Sequence, residues 1–116
     1  MNKIPKKLKD TISLDPFYKR CCLTGEKGTR SDPIQWHHNM IFAGKQVQAR
    51  FAILPVLESI HKIANRKDIK ERLDWVMVNR MSDEDLWLYG KGVDWIHRKE
   101  YLNGKFGEIR KSGLTA

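Results

Sequence analysis

The spacing of apolar and polar positions changes character along the chain. Ile34-Gln35-Trp36-His37-His38 reads as a short strand. Gly44-Lys45 marks a turn, and Gln46 to Phe51 reads as the returning strand. Pro55 then opens a helix, where a missing N–H costs nothing in the first turn, and Val56, Ile60 and Ile63 give that helix an apolar stripe. Beyond it the spacing stays helical. Ile69, Leu73, Val76 and Met77 follow Asp68-Ile69-Lys70-Glu71, which has the form of a capping box. Ser82-Asp83-Glu84-Asp85 is a second start signal, leading into Leu86 to Tyr89, with Gly90 and Gly92 as interruptions. A last helix runs from about Val93 to Asn103-Gly104. At the other end, Pro5 predicts a short helix to about Ile12, broken by Asp15-Pro16. Between them, Cys22 to Gly25 predicts a tight knuckle, and Gly28 and Pro33 a loop.

These elements predict one α+β domain over 1–116, with a hairpin and helix within about 34–66 and a helical part over about 67–116. A chain of 116 residues fits a single domain and buries only a modest core, so many residues must serve either that core or a site. A hydrophobic share of 41% excludes a disordered tail. No apolar run approaches a membrane span, and no apolar stretch follows the basic start Met1-Asn2-Lys3-Ile4-Pro5-Lys6-Lys7. The reading is therefore no membrane partner, no secretory signal and a cytoplasmic location. Cys21 and Cys22 are adjacent and ill-placed to bridge each other, so they read as small packing residues in a reducing compartment. The net charge of +8 favours a polyanionic partner, of which nucleic acid is the first candidate.

The candidate chemistry lies in the histidines. His37 and His38 are neighbours, and neighbours on a regular strand face opposite ways. At a strand end they are free to do different jobs around one centre, one binding a metal while the other faces a substrate. His61 and Asn65 are four apart, which places both on one face of the predicted helix. With His37 they make three protein ligands and leave positions open, as a catalytic metal requires.

Cys22-Leu-Thr-Gly25, then Trp36-His37-His38, then Gly44, then Ala52-Ile-Leu-Pro-Val-Leu-Glu-Ser-Ile-His61 resembles the HNH (ββα-metal) nuclease family over roughly residues 19–66. The resemblance implies a ββα-metal core of hairpin and helix with further C-terminal helices around it. It makes His37 the first metal ligand, His38 the general base, His61 the helix ligand and Asn65 a further ligand. Three departures stand out. The family's middle Asn, which braces the two strands, falls on Ala52, and Asn39 and Gln46 are candidates to replace it. The second cysteine pair that many relatives fold around a structural zinc falls on Leu57 and Ile60, so apolar packing is expected there in its place. The first pair is reduced to Cys22 and its neighbour.

The implied activity is hydrolysis of a DNA phosphodiester. His38 takes the proton from water, and one divalent ion offsets the charge that grows on phosphate. Magnesium or manganese are the expected working ions, although zinc, nickel or cobalt also suit two imidazoles and an amide. Lys45, Arg50, Lys62, Arg66 and Lys67 are the candidate DNA contacts, with Lys70 close by in sequence. The size, the missing zinc cage and the basic charge resemble small bacteriophage nucleases. The competing expectation is an inactive HNH-like module that only binds nucleic acid. Trp75, Trp87, Tyr89, Trp95 and Tyr101 read as core, and His97 as surface.

Overall fold

The computed structural model describes residues 4–107. Lys3 of the basic start and the end of the helical part, 108–116, lie outside them. In chain order the elements are α1 (Lys6–Leu14), β1 (Ile34–His38), β2 (Ile41–Phe42), β3 (Lys45–Gln46), β4 (Ile53–Leu57), α2 (Glu58–His61), α3 (Lys67–Val78), α4 (Asp83–Leu88) and α5 (Trp95–Phe106). Short 3-10 turns cover Pro16–Lys19 and Arg50–Ala52. The architecture is α+β. No described helix is long and apolar enough to cross a membrane.

β1 and β4 form an antiparallel pair, with Trp36 opposite Pro55, His37 opposite Leu54 and His38 opposite Ile53. The returning strand is thus Ile53–Leu57 and not Gln46 to Phe51. Gln46 instead closes a small hairpin opposite Ile41, turned by Ala43 and Gly44, whose φ values of 54° and 79° lie in the left-handed region. Pro55 does not open a helix; it sits in the middle of β4. All five residues of that strand are buried. A continuous apolar run covered on both faces lacks the alternation that separates a strand from a buried helix. A proline is tolerated there because the Pro55 carbonyl points away from β1, accepting from Cys22 N–H at 2.9 Å. In an antiparallel pair a residue's N–H and C=O point the same way, so its absent N–H removes no bond to β1.

α2 follows β4 without a loop and keeps only four residues. Its start has no cap of its own, and Asp32 from the preceding loop supplies one, accepting from Ser59 N–H (2.9 Å) and Ser59 Oγ (2.7 Å). α3 begins at Lys67, with Arg66 at the cap position. Asp68 and Glu71 therefore form no capping box; Glu71 lies within the helix, bound by Lys105 Nζ at 2.7 Å. The second start signal does form one, with Ser82 and Asp85 bonded reciprocally. α5 begins at Trp95 behind Asp94 and continues through Gly104 to Phe106, where Gly107 caps it at φ 95°.

The core joins Ile12, Tyr18 and Cys21 to β4, to Leu73, Val76 and Met77 of α3, and to Leu102 of α5. Leu57 and Ile60 pack into it where cysteines were absent, and Cys21 and Cys22 are both free thiols. Trp95 is buried as expected, but Trp87 and Tyr101 are 73% and 52% exposed and belong to the surface. His97 is also a surface residue, 2.5 Å from the Asp94 carboxylate. Leu54→Ala should cost roughly 2–5 kcal/mol in urea unfolding, because its side chain is fully buried and opposite His37. Leu14→Ala, at an exposed position, should stay within about 0.5 kcal/mol of the parent.

Candidate active site

β1 places its side chains alternately, so Gln35 and His37 share one face and Trp36 and His38 the other. The first face meets α2. The His37 and His61 rings stand edge to face with centroids 5.2 Å apart. The strand ends at His38, and both His37 and His38 line one cavity of about 560 Å³. Asn65 lines the same cavity. It does not lie one helical turn beyond His61, because α2 stops there and the chain goes on through tight turns. His61 is not itself a lining residue; it meets the cavity through the His37 ring.

Each of the three imidazoles has one ring nitrogen at a carboxamide oxygen. His37 Nε2 is 3.2 Å from Asn39 Oδ1, His61 Nδ1 is 2.7 Å from Gln35 Oε1, and His38 Nε2 is 3.2 Å from Gln48 Oε1. Two of these amides are held the right way round by carboxylates. Asn39 Nδ2 donates to Asp74 Oδ1 at 3.0 Å, and Gln35 Nε2 donates to Glu58 Oε1 at 3.3 Å. Their oxygens must then accept, so His37 carries its proton on Nε2 and His61 on Nδ1. The lone pairs left over are on His37 Nδ1 and His61 Nε2. With Gln48 Oε1 accepting, His38 likewise keeps the lone pair on Nδ1. Among the described residues, Gln48 Nε2 has no hydrogen-bond partner.

The bracing around Ala52 falls to other residues. Asn39 stands across from Ala52, donating its N–H to the Ala52 carbonyl at 2.7 Å while its side chain reaches α3. Gln48, rather than Gln46, holds His38. Composition could not single out Gln48, since nothing in its spacing ties it to His38.

A second group completes the cavity wall. Asp74 is buried, and its carboxylate takes Lys70 Nζ at 2.6 Å and Arg98 Nη2 at 3.1 Å. Lys70 also reaches the Asn39 carbonyl at 3.0 Å. Asp74, Lys70 and Arg98 all line the cavity, and two cations against one carboxylate leave a positive charge in excess. Arg98 carried no sequence signal; it lies one turn after the buried Trp95, which turns it to the same side.

The predicted DNA contacts divide. Lys45, Lys62, Arg66 and Lys67 are exposed, the last three flanking Asn65. Arg66 also pairs with Asp68 at 3.2 Å. Arg50 is not part of the histidine cavity. Its guanidinium is bound by Asp15, and it lines a separate recess with Asn79, Arg80 and Asp85. Among the described residues no three His, Cys, Asp or Glu side chains gather in metal-binding fashion. The set named from sequence has two such residues and an asparagine. No family model, curated protein or solved structure matches the chain.

Burial, and then the neighbouring His61, lower the His37 pKa from 6.5 to about 4. The folded protein favours the neutral ring, so the unfolded chain binds more protons between these values. The stability this gives is complete above pH 6.5 and is lost as the pH falls toward 4. Urea unfolding across that window should therefore show a steeper loss for the parent than for His37→Gln; parallel profiles would contradict the assignment.

Proposed function

We propose that the chain is a metal-dependent DNA endonuclease of the HNH type, centred on His37, His38 and His61. The observation that carries this reading is the common arrangement of the three rings, each fixed by a carboxamide and each keeping one lone pair. Fixing one nitrogen of a ligand imidazole orients the other toward its ion. On this reading the hairpin of β1 and β4 with α2 corresponds to the ββα-metal core.

The donor set suits one divalent ion. His37 Nδ1 and His61 Nε2 offer lone pairs from touching rings, and Asn65 offers an amide oxygen in the same cavity. Three protein ligands leave room for solvent and phosphate. Magnesium or manganese are the working ions of this reading, with zinc, cobalt or nickel accepted by the same nitrogens. When bound, the ion supplies Lewis acidity at a phosphate oxygen and offsets charge on the leaving oxygen.

The chain's own residues do the rest. His38 Nδ1 takes the proton of the attacking water, while the Nε2–H held by Gln48 keeps the ring from turning. Lys70 and Arg98 draw the phosphate into the cavity, and Arg98 offers more than one N–H to its oxygens. Lys45, Lys62, Arg66 and Lys67 add contacts to flanking phosphates, which makes binding weaken steeply with salt.

Supercoiled plasmid should be nicked in Mn²⁺ or Mg²⁺ and spared in chelator, and His38→Ala should lower the rate at least about 10²-fold. Metal binding is read separately. Manganese at a hundred times its Kd should stabilise the parent against urea by about 2.7 kcal/mol, and His61→Ala should lose that gain. Tight DNA binding without cleavage in any of these metals would favour the inactive binding module. Equal nicking by parent and His38→Ala would place the centre elsewhere.

A further inference from the structure

We infer that the same cavity holds a subsite for the uncharged part of a nucleotide, so that the nucleotide at the cut is unpaired or extruded from its duplex. This rests on the nuclease reading and adds the substrate class to it.

The cavity has two chemistries. His37, His38, Lys70 and Arg98 give it a polar, cationic wall, whereas Met40, Ile41 and Val93 give it an apolar one. A phosphodiester needs only the first. The volume of about 560 Å³ is that of a pocket for a whole small molecule, where about 300–1,000 Å³ is usual.

Met40 belongs to the core, but the other two residues of the apolar wall do not. Ile41 is 71% exposed and Val93 44% exposed, and they come from separate segments. Ile41 is carried on the hairpin turned by Ala43 and Gly44. Val93 follows Gly92, whose φ of 100° turns the chain between α4 and α5. Two segments thus bring solvent-facing apolar side chains to the histidines. Apolar side chains gathered in a concave site beside a few convergent polar groups are the usual make-up of a ligand pocket.

The charge beside it identifies the ligand. Lys70 and Arg98 outnumber Asp74, so an anion is favoured, and the occupant carries both a phosphate and an apolar face. A nucleotide has both. In a stacked duplex the base faces are covered, and only sugar and phosphate meet the protein. An unpaired or extruded nucleotide can lay its base on the apolar wall while its phosphate meets the cations.

Fluorescence anisotropy of the full chain in chelator tests this without cleavage. The probes are a labelled oligothymidylate and a tetrahydrofuran abasic oligomer with equal phosphates. The oligothymidylate should bind about tenfold more tightly at equal salt, the worth of one stacked base. Ile41→Ser and Val93→Ser should each reduce that ratio, leaving abasic affinity and melting temperature unchanged. Equal affinity for the two oligomers would overturn the subsite, as would a preference that neither substitution moves. Metal-dependent plasmid nicking alongside equal affinities would keep the nuclease reading and remove only the subsite.

Discussion

The Asp74 carboxylate holds together the elements that make the cavity. It is buried on α3, and it binds Asn39 just beyond β1, Lys70 on its own helix and Arg98 on α5. A buried carboxylate is costly unless it is paired and its oxygens are satisfied. Here one oxygen takes Asn39 and Lys70 and the other takes Arg98 twice, so the requirement fixes three elements at once. The positions of α3 and α5 against the strand end follow from it.

The same contact governs the chemistry. Because Asp74 takes the Asn39 amide nitrogen, the Asn39 oxygen is left to accept, and the His37 proton sits on Nε2. Glu58 does the same for His61 through Gln35. Carboxylates thus set two imidazole tautomers without touching either ring. A carboxylate directly on an imidazole would favour the charged ring strongly; the Asn39 amide also raises the His37 pKa, but burial and the neighbouring His61 outweigh it. His37 is held neutral in its half-buried place, and the neutral ring is the form that offers a lone pair.

How much of this could be read from the sequence depends on the element. β1, α3 and the Ser82 cap follow from local patterns that tertiary packing left alone. β4 did not, because Ile53 to Leu57 is buried on both faces and Pro55 resembles a helix start as much as a strand with a spare edge. The nearness of His37 and His61 came from the family resemblance and its order of elements, although the strand paired with β1 was placed at Gln46 to Phe51. Asn39 was a candidate brace, but its link to Asp74 spans 35 residues and leaves no local trace. Gln48 and Arg98 were illegible for the same reason: their roles come from partners brought together by the fold. Arg50 was misplaced because closeness in sequence to α2 says nothing of Asp15, which takes it.

The central claim is the set of tautomers, and long-range ¹H–¹⁵N correlation spectra of the metal-free protein near pH 7.5 read it directly. The account predicts His37 protonated on Nε2 and His61 on Nδ1, in a single form each. His61 protonated on Nε2, or averaged between its two nitrogens, would contradict it, since the Gln35 oxygen would then not be holding the proton on Nδ1.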